Sequence, residues 1–347
     1  MNYTIYTEGE MNKEAGWFVL YNKYSVSNAF DKAGLKKFEE DAKLLSRSNV
    51  KHVIIEDYPE GLHYGGYTKP WNGETLSGMV AIAHKLGMKV YPYLNPVLVS
   101  QKILEAHPGW ARIEDGKRHC GFSTYDPVKY YYWNDIETMC TEIVCPAVED
   151  WRNNLLGQTK EILATYSFDG IYLDYVMWKW RCDEHSIDEN CAGLARLVRG
   201  LHDVAKAANQ DNKVIINDYF YCRPPGAAMQ DLISKQEKVE FIDMYKDLGL
   251  EVLQHADIIL TENCAEWGLE KTVEIIERVH ATFPGKPVLF TRHWDDWKGL
   301  ATLKLSYDNI ARTGESICYF FPFPLVEFLE DTKESLALLT AGCKASK

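Results

Sequence analysis

The nine cysteines of this 347-residue chain include no CxxC pair. A zinc ribbon or a thioredoxin-type redox motif is therefore not expected. The cysteines are scattered, at Cys120, Cys140, Cys145, Cys182, Cys191, Cys222, Cys264, Cys318 and Cys343. The N-terminal stretch MNYTIYTEGEMNKEAGWF has neither a basic n-region nor an apolar h-region, so no secretory signal is expected. Reduced thiols in a cytoplasmic protein are the matching expectation. No apolar run approaches the roughly 18 residues of a membrane span, so no membrane partner is expected. Basic residues are in deficit, 38 Lys and Arg against 50 Asp and Glu, for a formal net charge of −12. Nucleic-acid binders usually carry a basic face, so no nucleic-acid partner is expected. No GxGxxG or Walker A loop follows an early strand-like run, and HExxH is missing. No low-complexity segment and no period of 20–50 residues appears, which argues against a solenoid.

What is present is a regular alternation. Hydrophobic residues make up 46% of the chain, enough for a large core. Short apolar runs rich in β-formers alternate with longer amphipathic stretches, the pattern of a parallel sheet with helical crossovers. The strand-like runs are Trp17–Tyr21, Val53–Glu56, Lys89–Leu94, Gly170–Leu173, Lys213–Ile216, Asp257–Leu260, Pro287–Phe290 and Ser316–Phe321. Helical stretches are expected over Asp31–Leu45 with Asp31 as N-cap, Glu74–Leu86 ending at Gly87, Ala147–Tyr166, Ala192–Ala208, Leu269–Phe283, and within Leu325–Ala341. Eight strand and helix units predict a (β/α)₈ TIM barrel, one domain over residues 1–347, with long βα loops after strands 3, 4 and 5. A doubly wound open sheet is the runner-up.

In such barrels the active site lies at the C-terminal ends of the strands. The polar residues gather there. Asn22 and Lys23 follow the first run, Glu56, Asp57 and Tyr58 stand at the second, and Asn95 follows the third. Asp174 and Tyr175 follow the fourth, Asn217 and Asp218 the fifth, Glu262 and Asn263 the sixth, and Arg292, His293 and Trp294 the seventh. Many of these residues are equally read as caps and turns. Asp174 stands apart, because it directly follows an apolar run and is followed by Tyr-Val-Met-Trp. A carboxylate among buried neighbours is costly unless it is used or paired. Aromatics reach 13%, with 10 Trp and 21 Tyr. Trp178, Trp180, Trp294 and Trp297 fall in the loops after strands four and seven, as candidate platforms for a sugar's C–H face or as plain packing.

The segment Phe168-Asp169-Gly170-Ile171-Tyr172-Leu173-Asp174 resembles the fourth-strand motif of many (β/α)₈ glycoside hydrolases, whose last Asp is catalytic. Upstream, Cys145-Pro146, Trp151-Arg152 and Ile162 resemble the lead-in of alpha-amylase-like and alpha-galactosidase-like glycosidases. The run from His84 through Gly87-Met88-Lys89-Val90 to Asn95 resembles their third strand. The resemblance covers about residues 80–180. It implies a glycosidase, a hydrolase acting on O-glycosyl bonds, with a carbohydrate substrate and no cofactor. In the alpha-galactosidase-like barrels the fourth-strand Asp is the nucleophile and a sixth-strand carboxylate the acid/base. Asp174 and Glu262 match those positions, although those groups commonly have Asp at the second. The alpha-amylase-like barrels place a Glu at the fifth strand and an Asp at the seventh, and this chain departs from that pattern.

Glycosidic cleavage commonly needs two carboxyl groups, one protonating the departing oxygen and one attacking the anomeric carbon or activating water. The resemblance implies retention, with Asp174 as nucleophile and Glu262 as acid/base. Glu262 must hold a proton near neutral pH, and Trp267 or the charge of Asp174 would favour that. Asp218 is the rival second carboxylate. Glu56, Asp57, Asn95, Tyr175, Trp178, Asp218, Arg292, His293 and Trp294 are the candidate sugar-binding residues, with Arg292 alternatively neutralising a catalytic carboxylate. No metal ligands are assigned. The run Cys182-Asp183-Glu184-His185 to Asp188 has ligand types without a standard spacing. A metal-dependent barrel hydrolase or isomerase, and a carbohydrate-binding barrel without catalysis, stay open as alternatives, as does assembly into a homo-oligomer.

Overall fold

A computed structural model describes residues 17–22, 32–47, 50–56, 58–59, 65–118, 141–174, 182–218, 248–261, 269–293 and 316–322. Of these, 17–22, 141–142, 269–272, 291–293 and 316–322 are described by their backbone. In chain order the elements are β1 (Trp17–Asn22), α1 (Lys32–Arg47), β2 (Val50–Ile55), α2 (Gly73–Lys85) and β3 (Lys89–Leu94). Then come β4 (Leu98–Ser100), α3 (Gln101–Ala106), a 3₁₀ turn (Pro108–Trp110), β5 (Ile113–Glu114), β6 (Lys117–Arg118) and β7 (Thr141–Ile143). The chain continues through α4 (Glu149–Tyr166), β8 (Gly170–Leu173), α5 (Ile187–Ala208), β9 (Lys213–Asp218), β10 (Ile258–Thr261), α6 (Leu269–Thr282), β11 (Val288–His293) and β12 (Ser316–Pro322).

Eight of these strands form one parallel sheet that curls and closes in the order β1, β2, β3, β8, β9, β10, β11, β12 and back to β1. The next described element after each of β1, β2, β8 and β10 is a helix. After β3 the chain first makes an excursion of two small antiparallel pairs, β4 with β7 and β5 with β6, before α4. The described parts of the expected long loop after strand 3, residues 95–118 and 141–146, therefore carry structure of their own. The loops after strands 4 and 5 fall largely outside the described residues, as do the segments after β11 and β12, Asp31 and the expected last helix. Among the described residues no helix is long and apolar enough to cross a membrane.

Sequence period explains each element. In α1, Phe38, Ala42 and Leu45 recur at helical spacing and are buried, and hiding each of the two large side chains stabilises the fold by roughly 1.5–3 kcal/mol. Helix α2 opens on Asn72, whose side chain accepts from the Thr75 N–H at 3.0 Å, and is followed by Gly87 at φ +76°. Helix α5 begins at Ile187, not near Ala192 as the polar run CDEHSIDENC suggested. Ser186 accepts from the Glu189 N–H at 3.2 Å while Glu189 accepts from the Ser186 N–H at 2.7 Å. This capping box turns the second half of that polar run into the first helical turn. Strands β9 and β11 run on through Asp218 and His293, because neighbouring strands continue the ladder past the apolar residues.

Two aspartates lock the N-terminal rim of the barrel. Asp169, just before β8, accepts from the Val90 N–H of β3 at 2.8 Å and from His84 Nε2 at 2.8 Å. Asp257, just before β10, accepts from the Val214 N–H of β9 at 2.8 Å and from Lys206 Nζ at 2.8 Å. Asp257 thus precedes its strand, where it was expected to open it. Between them, Gly170 takes φ +145°, and a Cβ there would stand 1.9 Å from the Lys213 carbonyl oxygen. Only glycine fits this crossing of β8 and β9.

Candidate active site

Register sorts the strand-end residues into two sets, because successive strand residues face opposite ways and parallel register partners face the same way. One set runs through Ile54 and Tyr91, Tyr93 and Tyr172, Tyr172 and Ile215, and Asn217 and Leu260. The other holds Val53, Val90, Leu94, Ile171, Leu173, Val214, Ile216 and Ile259, all buried and mostly β-branched, as residues beneath a helical layer should be. The polar residues His52, Tyr91, Tyr93, Tyr172 and Asn217 fall in the first set, which therefore faces the barrel interior. Two-residue alternation places Glu56, Asn95 and Asp174 with them. Asp218 belongs to the second set and is fully buried.

Asp174 closes β8 through its N–H, which donates to the Leu94 carbonyl at 3.0 Å. Only 5% of it is exposed. Its Oδ2 accepts from the Tyr93 hydroxyl at 2.5 Å, and its Oδ1 accepts from Asn217 Nδ2 at 2.6 Å. Strands on either side thus supply one neutral donor to each oxygen, and the carboxylate is fixed in orientation. Behind Tyr93, Asn95 Nδ2 donates to its hydroxyl at 3.2 Å. The Asn95 Oδ1 accepts from the Val97 and Leu98 N–H groups at 3.1 and 2.8 Å, so Asn95 turns the chain into β4 as well as holding Tyr93. Tyr67 completes the wall. Its hydroxyl accepts from the Asn95 N–H at 2.7 Å, and Gln158 of α4 pins its loop by bonding the Tyr67 N–H and the Gly65 carbonyl, each at 2.7 Å. Burial pushes the Tyr67 phenol well up, and the nearby carboxylates of Asp174 and Glu56 add to the rise. It stays a neutral hydroxyl.

Of the residues expected in the site, the structure brings together Asp174 and Asn95 through Tyr93, and strand alternation puts buried Glu56 in the same interior set. Asp218 lies in the set opposite Asp174. Arg292 and His293 occupy the last two positions of β11, with register partners Tyr319 and Phe320. Glu262, Asp57, Tyr175, Trp178, Trp180, Trp294 and Trp297 lie outside the described residues. Sequence reading passed over Tyr93 and Tyr67 as functional groups. The period-two polar tyrosines in KVYPYL were the available signal for Tyr93; the Tyr67 loop carried none. The lead-in residues of the glycosidase resemblance have structural work here. The Trp151 indole N–H donates to the Pro96 carbonyl at 2.9 Å, and Arg152 Nη1 donates to the Pro146 and Ala147 carbonyls at 2.8 and 2.6 Å.

No family model and no curated protein matches the chain. Solved structures do share its fold. A beta-galactosidase from the psychrophilic Marinomonas ef1 aligns over 93% of this chain and 59% of its own, with a TM-score of 0.61 at 9% identity. The galactosidase domain of an alpha-galactosidase–sucrose kinase aligns over 96% of this chain and 41% of its own, with a TM-score of 0.59 at 12% identity. A Paenibacillus cycloisomaltooligosaccharide glucanotransferase aligns over 79% and 38%, with a TM-score of 0.54 at 12% identity. The chain spans about two fifths to three fifths of the length of these proteins. At such identities the likeness shows the fold: a curled parallel α/β sheet of the kind on which glycoside hydrolases are built.

Proposed function

We propose that this chain is a glycoside hydrolase of the (β/α)₈ class, its alternation completed after β11 and β12 and its 347 residues forming one domain. The observation that carries the reading is the Asp174 carboxylate, buried at the C-terminal end of the fourth barrel strand and oriented by Tyr93 and Asn217. Fold neighbours named as galactosidases and a glucanotransferase support a carbohydrate substrate.

Asp174 is the nucleophile in this reading, attacking the anomeric carbon, while Glu262 protonates the departing oxygen. Water then releases the sugar, with Glu262 taking its proton, so configuration is retained. Glu262 directly follows β10 and stands two positions after Leu260, the register partner of Asn217. The two-residue alternation of β10, read one step further along the sequence, is what supports Glu262 over Asp218 in this reading. Asp218 cannot serve so easily, because strand alternation separates it from Asp174. Retention calls for a carboxyl separation of about 5–5.5 Å. Glu56, Asn95 and His293, which share the interior register set, line the sugar site, joined by Asp57, Tyr175, Trp178 and Trp294, with Arg292 neutralising charge at its rim.

The test is a panel of aryl α- and β-glycosides assayed with the wild type, Asp174→Asn and Glu262→Gln. Turnover of one glycoside, lost by several orders of magnitude in folded Asp174→Asn, is the expected result, with the first-formed sugar of the substrate's own anomer. Undiminished activity of Asp174→Asn overturns the assignment, and the opposite anomer overturns retention.

A further inference from the structure

A second cluster of reactive side chains shares no member with the Asp174 site. Cys145 follows β7 in the excursion after β3, and Cys182 and His185 lie in the lead into α5. The Cys145 and Cys182 sulfurs and an imidazole nitrogen of His185 all lie within 4.8 Å of one another. Cys145 Sγ is 3.4 Å and Cys182 Sγ 3.9 Å from His185 Nδ1. Zinc bonds of about 2.3 Å to sulfur and about 2.0–2.1 Å to nitrogen, at tetrahedral angles, require sulfur-to-nitrogen separations of roughly 3.5–3.6 Å. The observed pair brackets that value, so one ion can reach all three atoms with small rotations.

The cluster is held in place from several sides. The Cys145 N–H donates to the Trp110 carbonyl at 2.9 Å. Asp183, between the two outer ligands, accepts from the Asp115 and Gly116 N–H groups at 3.3 and 2.8 Å, and its own N–H donates to the Ile113 carbonyl at 2.8 Å. The turn carrying Cys182 and His185 is thus fastened to the β5–β6 hairpin, and the Ser186 capping box fixes the next residue. Buried Asn190 sits against Cys145, whose thiol donates to its Oδ1 at 2.8 Å. Turned over, the same amide donates to a thiolate, a usual outer partner of a metal-bound sulfur.

The geometry points to a divalent zinc-type site formed by Cys145, Cys182 and His185, with the fourth position open to water. The ion clips the strand-3 excursion to the N-terminus of α5. Binding releases the two thiol protons to solvent and forms two metal–sulfur bonds and one bond to His185. The inference is independent of the glycosidase reading, since it uses none of the residues that reading assigns.

The experiment is cobalt titration of the full chain, reduced and freed of metal, with zinc added afterwards in competition. Expected are thiolate-to-cobalt absorption bands saturating near one ion per chain, loss of the bands on adding zinc, and a higher unfolding midpoint with zinc. Cys182→Ser, at a half-exposed position, should roughly halve the charge-transfer intensity, and His185→Ala should weaken cobalt binding at least tenfold. Bands unchanged in both variants, no thiolate bands at all, or a Cys145–Cys182 disulfide in place of metal binding would each overturn the site.

Discussion

At the scale of single residues, the hydroxyl of Tyr93 is a direct probe of Asp174. Hydrogen bonds to charged groups are worth about 1.5–3 kcal/mol. Tyr93→Phe should therefore lower kcat by roughly ten- to a hundredfold, with a smaller change in KM, on any glycoside the wild type turns over. A variant that raised KM alone would instead mark Tyr93 as a sugar contact. Gly170 offers the harsher test. Its φ of +145° and the 1.9 Å approach of a Cβ to the Lys213 carbonyl leave no room for alanine. Gly170→Ala should cost more than about 4 kcal/mol, a loss reserved for such backbone conflicts, and should leave the chain insoluble or unfolded by circular dichroism. Asp174 could be singled out from sequence because a carboxylate after an apolar run is conspicuous. Its partners could not, because Tyr93 and Asn217 reach it only once strand order and register are known.

At the scale of elements, hydrophobic period placed the strands and helices well where it was clean, as in α1, α2 and β3. It failed at α5, whose first turn, Ile187 to Asn190, carries one apolar residue and so shows no period. The signal there was the Ser186–Glu189 spacing. Ser186→Ala should lower stability by about 0.5–2 kcal/mol in urea unfolding, the usual loss for an N-cap. The paired rim aspartates make a stronger claim. Asp257→Ala removes the acceptor for both the Val214 N–H and Lys206 Nζ. A loss of about 2–3 kcal/mol is expected, with activity per folded molecule kept, because the rim lies at the opposite end of the strands from Asp174. If activity fell while stability held, the rim assignment would fail. The Cys145 cluster was only half legible. Cys182 and His185 are near in sequence, but the third ligand arrives from before α4, a distance that only packing bridges.

At the scale of the whole molecule, the N-terminal end of the barrel sets a pH dependence of stability. Burial holds the His255 imidazole below its ordinary value of 6.5, and His202, Arg199 and Lys286 push the same way while Asp203 opposes them. Burial also lowers Lys286, with Asp257 opposing and Lys206 reinforcing the fall. Below the ordinary imidazole value the unfolded chain takes up a proton that folded His255 resists, so stability falls as pH drops through that window. Urea midpoints should decline between about pH 7 and pH 5.5, and His255→Gln should flatten the decline. An equal slope in the variant would clear His255 of the effect. The same end of the barrel bears on how such chains are recognised. In Phe168–Asp174, Asp169 and Gly170 answer to the packing of neighbouring strands, and Asp174 is the residue to which the proposed function assigns chemistry. A lineage that exchanged Asp174 for an inert residue would feel no pressure to release the other two. On the proposed function, a search keyed to that spacing gathers chains that share the strand crossing, and the last letter of the motif separates those that keep the proposed nucleophile from those that do not.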